Sequence, residues 1–332
     1  MTIDKKYIDN FINVTSEAAL ASSYLVGKKD KIAADKAATD SMRAELNKIN
    51  MNGQVVIGEG ELDEAPMLFI GEKLGTKNGP FFDIAVDPLE GTNCAANNLP
   101  GALSVIAIAE KNNLFNAPET YMDKIATSKI ENGVIDLDYS VQKNISNLAD
   151  VKNKNTEEIT ACILDRPRHR EIIDELKKMK VNIKLISDGD VSGALLVSSD
   201  KFNVDIFLGI GGGPEGVLAA AALDSLDCNF QGRFIFETAN EIKRAKEMGI
   251  VDLKKKYNLS EIITGDSIFC ATGITSGDLV KGITIDDDHY ISETFVTHKS
   301  SNMKKKILKK NSLKLWFLFP IKFGMKKILI KI

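Results

Sequence analysis

Apolar positions along the chain follow two rhythms: helical spacing near the N-terminus, and short unbroken runs further on. After Thr15-Ser16-Glu17, the positions Ala18, Ala19, Leu25 and Val26 predict a helix ending at Gly27. Lys28 to Lys31 read as a charged connector. Ala34, Ala37, Ala38, Met42, Leu46 and Ile49 predict a second helix, with Asp35 in its first turn, where the helix dipole favours a carboxylate. Asn52-Gly53 predicts a turn, and Val55-Val56-Ile57 a strand that ends in Gly58-Glu59-Gly60. Pro66 opens an expected helix through Ile70 to Leu74, stopped by Gly75. Ile84-Ala85-Val86 reads as a covered strand that Pro88, lacking an N–H, stops at Asp87. Ala102 to Ala109 looks like another buried strand.

Asn144 to Lys152 reads as a polar, helix-compatible connector, and a subdomain boundary is expected just beyond it. From there strands (Ile159 to Leu164, Val181 to Ile186, Val204 to Leu208) alternate with helices (Glu171 to Met179, Val191 to Val197, Val217 to Leu223). That alternation predicts an α/β fold with a largely parallel sheet. Ligands in such sheets sit beyond the carboxyl ends of the strands. Those ends are Arg166-Pro167-Arg168-His169, Asp188-Gly189-Asp190 and Gly211-Gly212-Gly213-Pro214-Glu215-Gly216, all polar or glycine-rich. The expected division is 1–155, 156–302 and a tail, 303–332.

Composition narrows the chemistry. A chain of 332 residues exceeds the size of most single cores, so two subdomains are expected. Cys94, Cys162, Cys228 and Cys270 are far apart, which suits reduced thiols in a cytoplasmic protein better than a disulfide frame or a zinc site. The start, Met1 to Asn10, carries no apolar block, so no signal peptide is expected. With only His169, His289 and His298, any metal is held by oxygen, which favours Mg²⁺ or Mn²⁺. The net charge of −3 includes ten lysines and no acids after residue 302, so the rest carries −13 and nucleic acid is not an expected partner. Within the tail, Lys304 to Lys310 is basic, and Leu313 to Phe323 is apolar but broken by Lys314, Pro320 and Lys322. It is too short and too charged to span a bilayer. It could lie on an anionic surface or pack on a neighbouring subunit; a disordered or aberrant end is the reading adopted.

The stretch Asp87-Pro88-Leu89-Glu90-Gly91-Thr92 places two carboxylates in a turn, with the Gly91 and Thr92 amides free to point at an anion. That suits a divalent metal beneath a phosphate; a plain capping turn is the other reading. Asp35, Glu59, Asp87, Glu90 and Glu215 all fall at element ends. Gathered together they would repel one another, and divalent cations remove that penalty while preparing a phosphoester for displacement.

Gly58-Glu59-Gly60-Glu61-Leu62-Asp63-Glu64-Ala65-Pro66-Met67 and the Asp87 to Thr92 turn closely resemble the class II fructose-1,6-bisphosphatases of bacteria. The turn is also similar to the wider lithium-sensitive, metal-dependent phosphatases, which include inositol monophosphatases. The likeness runs from about Thr15 to about Ile307 and includes the three strand-end blocks and Ala271-Thr272-Gly273-Ile274-Thr275. It departs in a shorter segment after Gly232-Arg233-Phe234 and in the tail. The resemblance implies a layered α/β/α/β/α sandwich of two subdomains, the first carrying the metal and catalytic groups and the second binding the sugar phosphate. It implies metal ligation by Asp35, Glu59, Asp87, Glu90 and Glu215, and Thr92 beside the reacting phosphorus as nucleophile or water-positioner. Lys31 and Asp63 would assist positioning or proton transfer, with Glu59 also counted as catalytic. Tyr121, Arg166, Pro167, Arg168, Asp188, Gly189, Asp190 and Gly212, with Glu90 and Gly91, would hold the substrate. The implied reaction is hydrolysis of fructose 1,6-bisphosphate to fructose 6-phosphate in gluconeogenesis, by a homo-oligomer. Sedoheptulose 1,7-bisphosphate or an inositol phosphate is the alternative substrate, and a non-catalytic binder using Gly211 to Gly213 as an anion nest is a third reading.

Overall fold

The computed structural model describes residues 2–58 and 67–313. The first helix, α1 (Lys6–Ser23), begins well before the expected start at Thr15. Tyr7, Ile8, Phe11 and Ile12 already lie at helical spacing and are buried. The Thr15 hydroxyl does not cap the helix; it bonds back to the Phe11 and Ile12 carbonyls, 3.2 Å each. The next helix, α2 (Lys31–Leu46), is capped by Asp30, whose carboxylate accepts from the Ala33 N–H at 2.9 Å. Asp35 therefore sits one turn in, rather than in the first turn.

Asn52-Gly53 is not a turn but the start of β1 (Asn52–Ile57), where Gly53 pairs with Phe82 on one side and Leu74 on the other. No helix follows Met67; the chain is irregular until β2 (Lys73–Leu74), which pairs antiparallel with β1. The expected helix start at Pro66 lies outside the described residues. β3 (Phe81–Glu90) continues through Pro88 instead of stopping at Asp87. Its register against β4 (Leu103–Glu110) shifts between Asp87 and Glu90, so Pro88 occupies a bulge where no ladder N–H is required. α3 (Thr92–Ala96) follows β3 directly.

The remaining elements are β5 (Tyr121–Thr127), α4 (Val141–Lys152), β6 (Thr160–Leu164), α5 (Arg170–Lys178), β7 (Asn182–Ile186), α6 (Asp190–Leu195), β8 (Ile206–Gly212) and α7 (Gly213–Ser225). They continue through β9 (Asn229–Ile235), α8 (Ala239–Glu247), β10 (Tyr257–Asn258), α9 (Leu259–Ile262), β11 (Ser267–Gly273), β12 (Thr284–Asp286), β13 (His289–His298) and β14 (Met303–Ser312). Two sheets result. One runs β12-β13-β11-β4-β3-β1-β2 with β14 on β13, the other β10-β9-β5-β8-β6-β7.

Five layers follow from the residues on each face. Ile84, Val86, Ile106, Ile108 and Ile268 turn one face of the first sheet to α1 and α2. Smaller residues, among them Ala85, Ala107, Ala109 and Ala271, turn the other face to α7. α7 is apolar all round and packs between the sheets together with α6, its Ala219 to Ala222 run allowing close approach. Ile125, Ala161 and Leu208 cover the outer face of the second sheet under α4 and α5. The architecture is the expected α/β/α/β/α sandwich.

The largely parallel sheet is corrected. In the second sheet only β6 pairs in parallel, with β7 and β8; β5 enters antiparallel between β8 and β9. α4 is no connector, since Ile145 and Leu148 are fully buried under that sheet. Sheet membership also crosses the expected divisions. β5 and α4, before residue 155, belong to the second sheet and its cover, whereas β11 and β13 return to the first. Lys304 to Lys310 is not a disordered end either: β14 pairs with β13 from Met303 to Ser312. Its lysines sit on a strand with no partner beyond it among the described residues, a charged edge that discourages further pairing. The apolar stretch from Lys314 onward lies outside the described residues, and among those described no helix is long and apolar enough to cross a membrane.

Asp205 ties three parts of the second sheet together. Its carboxylate takes Lys152 at 2.7 Å, Lys154 at 2.8 Å and the Thr160 N–H at 3.0 Å. Burial pushes its pKa up, but the two lysines and the amide outweigh that and hold it below the usual carboxylate range. A carboxyl with a lowered folded pKa stabilises fully above the unfolded value, about 3.9, and ceases to as pH falls through the folded one. Urea titrations below pH 4 should therefore show Asp205→Asn losing less stability than the unaltered chain. Equal acid sensitivity of the two proteins would refute this.

Candidate active site

The carboxyl end of β3, the start of α2 and the β8–α7 junction meet at a cleft between the two sheets. A cavity of about 870 Å³ is lined by Lys31, Asp35, Asp87, Thr92, Tyr121, Gly212 and Glu215, among others. A second, of about 340 Å³, shares Asp87, Thr92, Tyr121, Gly212 and Glu215. It adds Glu90, Gly91, Arg166, Arg168, Asp188, Gly189 and Asp190. Glu59 and Asp63 lie outside the described residues. Of the other expected site residues only Pro167 lines neither cavity; it opens the 3₁₀ turn Pro167–His169 that carries Arg168. Gly91, at φ +79°, turns the chain from β3 into α3 and sets Thr92 as the first helical residue.

The acids are held against their electrostatic preference. Burial pushes the Asp35 carboxyl up to about 6. Burial raises Glu90 well above its ordinary value, and the charges of Asp190, Glu215 and Asp188 add to that against the Val191 N–H. Glu215 is raised by burial too, with Lys124 opposing. Asp35 Oδ1, Glu90 Oε2 and Asp190 Oδ1 are buried without a hydrogen-bond partner. Among the described residues no three His, Cys, Asp or Glu side chains are close enough to enclose a cation by themselves. Oxygen donors left unsatisfied, in a setting that disfavours their negative charge, nonetheless match what a hard divalent cation requires.

The smaller cavity also carries the cations. Arg166 is fixed to Asp188 (2.9 Å) and the Asp165 carbonyl (3.1 Å). Asp188 also accepts from the Asn93 N–H at 3.2 Å and its Nδ2 at 3.1 Å, so it joins the arginine loop to α3. Arg168 donates to the Ile210 carbonyl at 2.9 Å and lies over the half-exposed Tyr121 ring, 4.9 Å from its centroid. Glu90 accepts from the Val191 N–H, linking β3 to α6 across the cleft.

Three features escaped the sequence reading. His169 is fully buried, with Nδ1 at 2.7 Å from the Leu164 carbonyl and Nε2 at 2.8 Å from the Ile210 N–H. Burial lowers its pKa, and the neutral ring braces the arginine loop against β8. Lys124 reaches the site from beneath, bound to Asp190 and the Gly212 carbonyl; a lysine between Met122 and Ala126 on an apolar strand face was the available signal. The glycines of the β8–α7 junction have a different use from an anion nest. The Gly213 N–H donates to the Thr120 carbonyl at 2.7 Å. A Cβ on Gly211 or Gly212 would collide with the Asp190 or Glu215 carboxylate.

A family model described as "Bacterial fructose-1,6-bisphosphatase, glpX-encoded" matches residues 5–311. The chain belongs to that family. Among curated members, the "D-fructose 1,6-bisphosphatase class 2/sedoheptulose 1,7-bisphosphatase" of Prochlorococcus marinus (strain MIT 9301) is 39% identical over 300 residues, covering 86% of this chain and 90% of that protein. The protein of the same description from Trichodesmium erythraeum (strain IMS101) is 40% identical over 297 residues, covering 82% and 86%. Of solved structures, an IMPase from Thermotoga maritima covers 60% of this chain and 79% of its own at 13% identity and a TM-score of 0.33. The resemblance drawn from the Asp87 to Thr92 turn and the strand-end blocks is thus upheld: the chain is a fructose-1,6-bisphosphatase family member, a phosphoric monoester hydrolase.

Proposed function

We propose that the chain hydrolyses the 1-phosphate of fructose 1,6-bisphosphate in the cleft between its sheets, using divalent cations held by Asp35, Asp87, Glu90 and Glu215, with Glu59. The observation that carries this reading is that carboxylates and guanidinium groups converge on one cleft. Asp87, Glu90 and Glu215 line a cavity together with Arg166 and Arg168, and Asp87 and Glu215 also line the adjoining cavity with Asp35. A bound magnesium or manganese ion supplies Lewis-acid polarisation of the phosphoryl oxygens and an acidified water at neutral pH. Thr92, which lines both cavities, directs its hydroxyl or a water at phosphorus. Arg168 and Tyr121 receive the phosphate that is not cleaved, since a guanidinium can bind a phosphate dianion with two parallel hydrogen bonds. Asp190, with an unsatisfied oxygen, accepts from a sugar hydroxyl.

Sedoheptulose 1,7-bisphosphate is a second substrate on this reading, as the relatives' names carry both activities. A substrate with a single phosphate leaves Arg168 and Tyr121 unused, so myo-inositol 1-phosphate is the poorest of the three. Phosphate release should be measured for all three with manganese, with magnesium and in excess EDTA. Both sugar bisphosphates are expected to turn over, and neither in EDTA. Undiminished release in EDTA would overturn the metal assignment, and failure with both bisphosphates the substrate assignment.

A further inference from the structure

Lys124 is 1% exposed, the only lysine among the largest fully buried side chains of the described residues. It stands on β5 between Met122 and Ala126, whose side chains belong to the apolar core between the sheets. A charge in that position is costly unless paired and hydrogen-bonded. The ammonium meets that condition with groups of the cleft alone: the Asp190 carboxylate through Oδ2, and the Gly212 carbonyl at 2.7 Å. It also opposes the negative charge of Glu215.

Two glycines, Gly211 and Gly216, leave room for this side chain. A Cβ on Gly211 would press on both Asp190 and the Lys124 Nζ, and one on Gly216 would lie 3.2 Å from its Cδ. With Oδ2 taken by Lys124, Asp190 has one orientation, and its buried, partnerless oxygen is Oδ1.

We infer that Lys124 is a positioning residue for substrate binding: it locks Asp190 so that Oδ1 faces the sugar, and it fixes the Gly212 turn beside Glu215. The inference rests on the phosphatase reading above, and it assigns a task to a residue that itself never touches substrate. Loss of the lock weakens sugar binding more than turnover, since a contact made equally in ground and transition states alters KM and spares kcat.

The test compares Lys124→Met, Lys124→Arg and, as a control, Lys152→Met, which removes a half-buried ion pair with Asp205 that lines neither part of the cleft. Each is assayed for KM and kcat with fructose 1,6-bisphosphate in manganese and for thermal unfolding. Lys124→Met is expected to raise KM by about tenfold or more, with kcat within about threefold. Lys124→Arg, which keeps a charged donor for Asp190, is expected to raise KM less than Lys124→Met does. Lys152→Met is expected to lower the unfolding temperature and leave KM in place. If Lys124→Met does not fold, Lys124→Gln, which keeps a donor without the charge, is read in its place. An unchanged KM in the Met or Gln variant, or equal KM in the Met and Arg variants, overturns the inference. Absence of phosphate release by the unaltered chain would instead overturn the phosphatase reading.

Discussion

Glu215→Gln is expected to release phosphate from fructose 1,6-bisphosphate about 10²–10³-fold more slowly than the unaltered chain at saturating manganese. The substitution keeps the shape of the side chain and removes its negative charge. Glu215 sits in the first turn of α7, pressed against the Gly212 backbone, and lines both parts of the cleft. Its pKa is raised by burial, so the folded protein holds this carboxylate at a cost. The same variant should therefore unfold at an unchanged or higher temperature, as expected for an acid kept for chemistry rather than for stability. A turnover number within about threefold of the unaltered chain would remove Glu215 from the metal-holding set.

Thr92→Ala is expected to fall by a similar factor, about 10²–10³ in kcat, whereas Thr92→Ser is expected to recover most of it. Thr92 is placed by a left-handed Gly91 directly after the β3 bulge, where both cavities meet. The hydroxyl is common to serine and threonine; the methyl group is not. Parallel losses in both variants would point to packing by the methyl group instead. Retention of a third or more of kcat in the alanine variant would exclude any part for the hydroxyl at phosphorus. Single-turnover measurements separate the two, because a packing defect slows binding as well as chemistry.

Much of the cleft was visible as chemistry at element ends. Asp87 and Glu90 lie at the end of β3, Arg166 and Asp188 come just after β6 and β7, and Glu215 is in the first turn of α7; ligands of α/β sheets gather beyond such strand ends. Several local expectations failed where a single residue was given too much weight. Pro88 did not end β3, since a bulge tolerates a missing donor. Asn52-Gly53 did not turn, since Gly53 is wedged between two partner strands. Thr15 did not start α1, since apolar residues at helical spacing already preceded it. In each case tertiary packing outweighed local propensity.

What the amino-acid order determined by itself was the inventory: which residues carry charge at element ends, the strands and helices of the alternating stretch from Ile159 to Leu223, and the family to which the motifs belong. What only the tertiary structure decided was partnership. β5 enters the second sheet antiparallel between β8 and β9, and β14 closes on β13. Asp188 joins Arg166 to α3, Glu90 crosses to Val191, and Lys124 rises through an apolar layer to Asp190. The physical reason is that hydrophobic periodicity reports which face of an element is dry, not which distant element covers it. A buried lysine or a strand inserted between others gains its meaning from long-range contacts. Those form only when separate segments exclude water from the same volume.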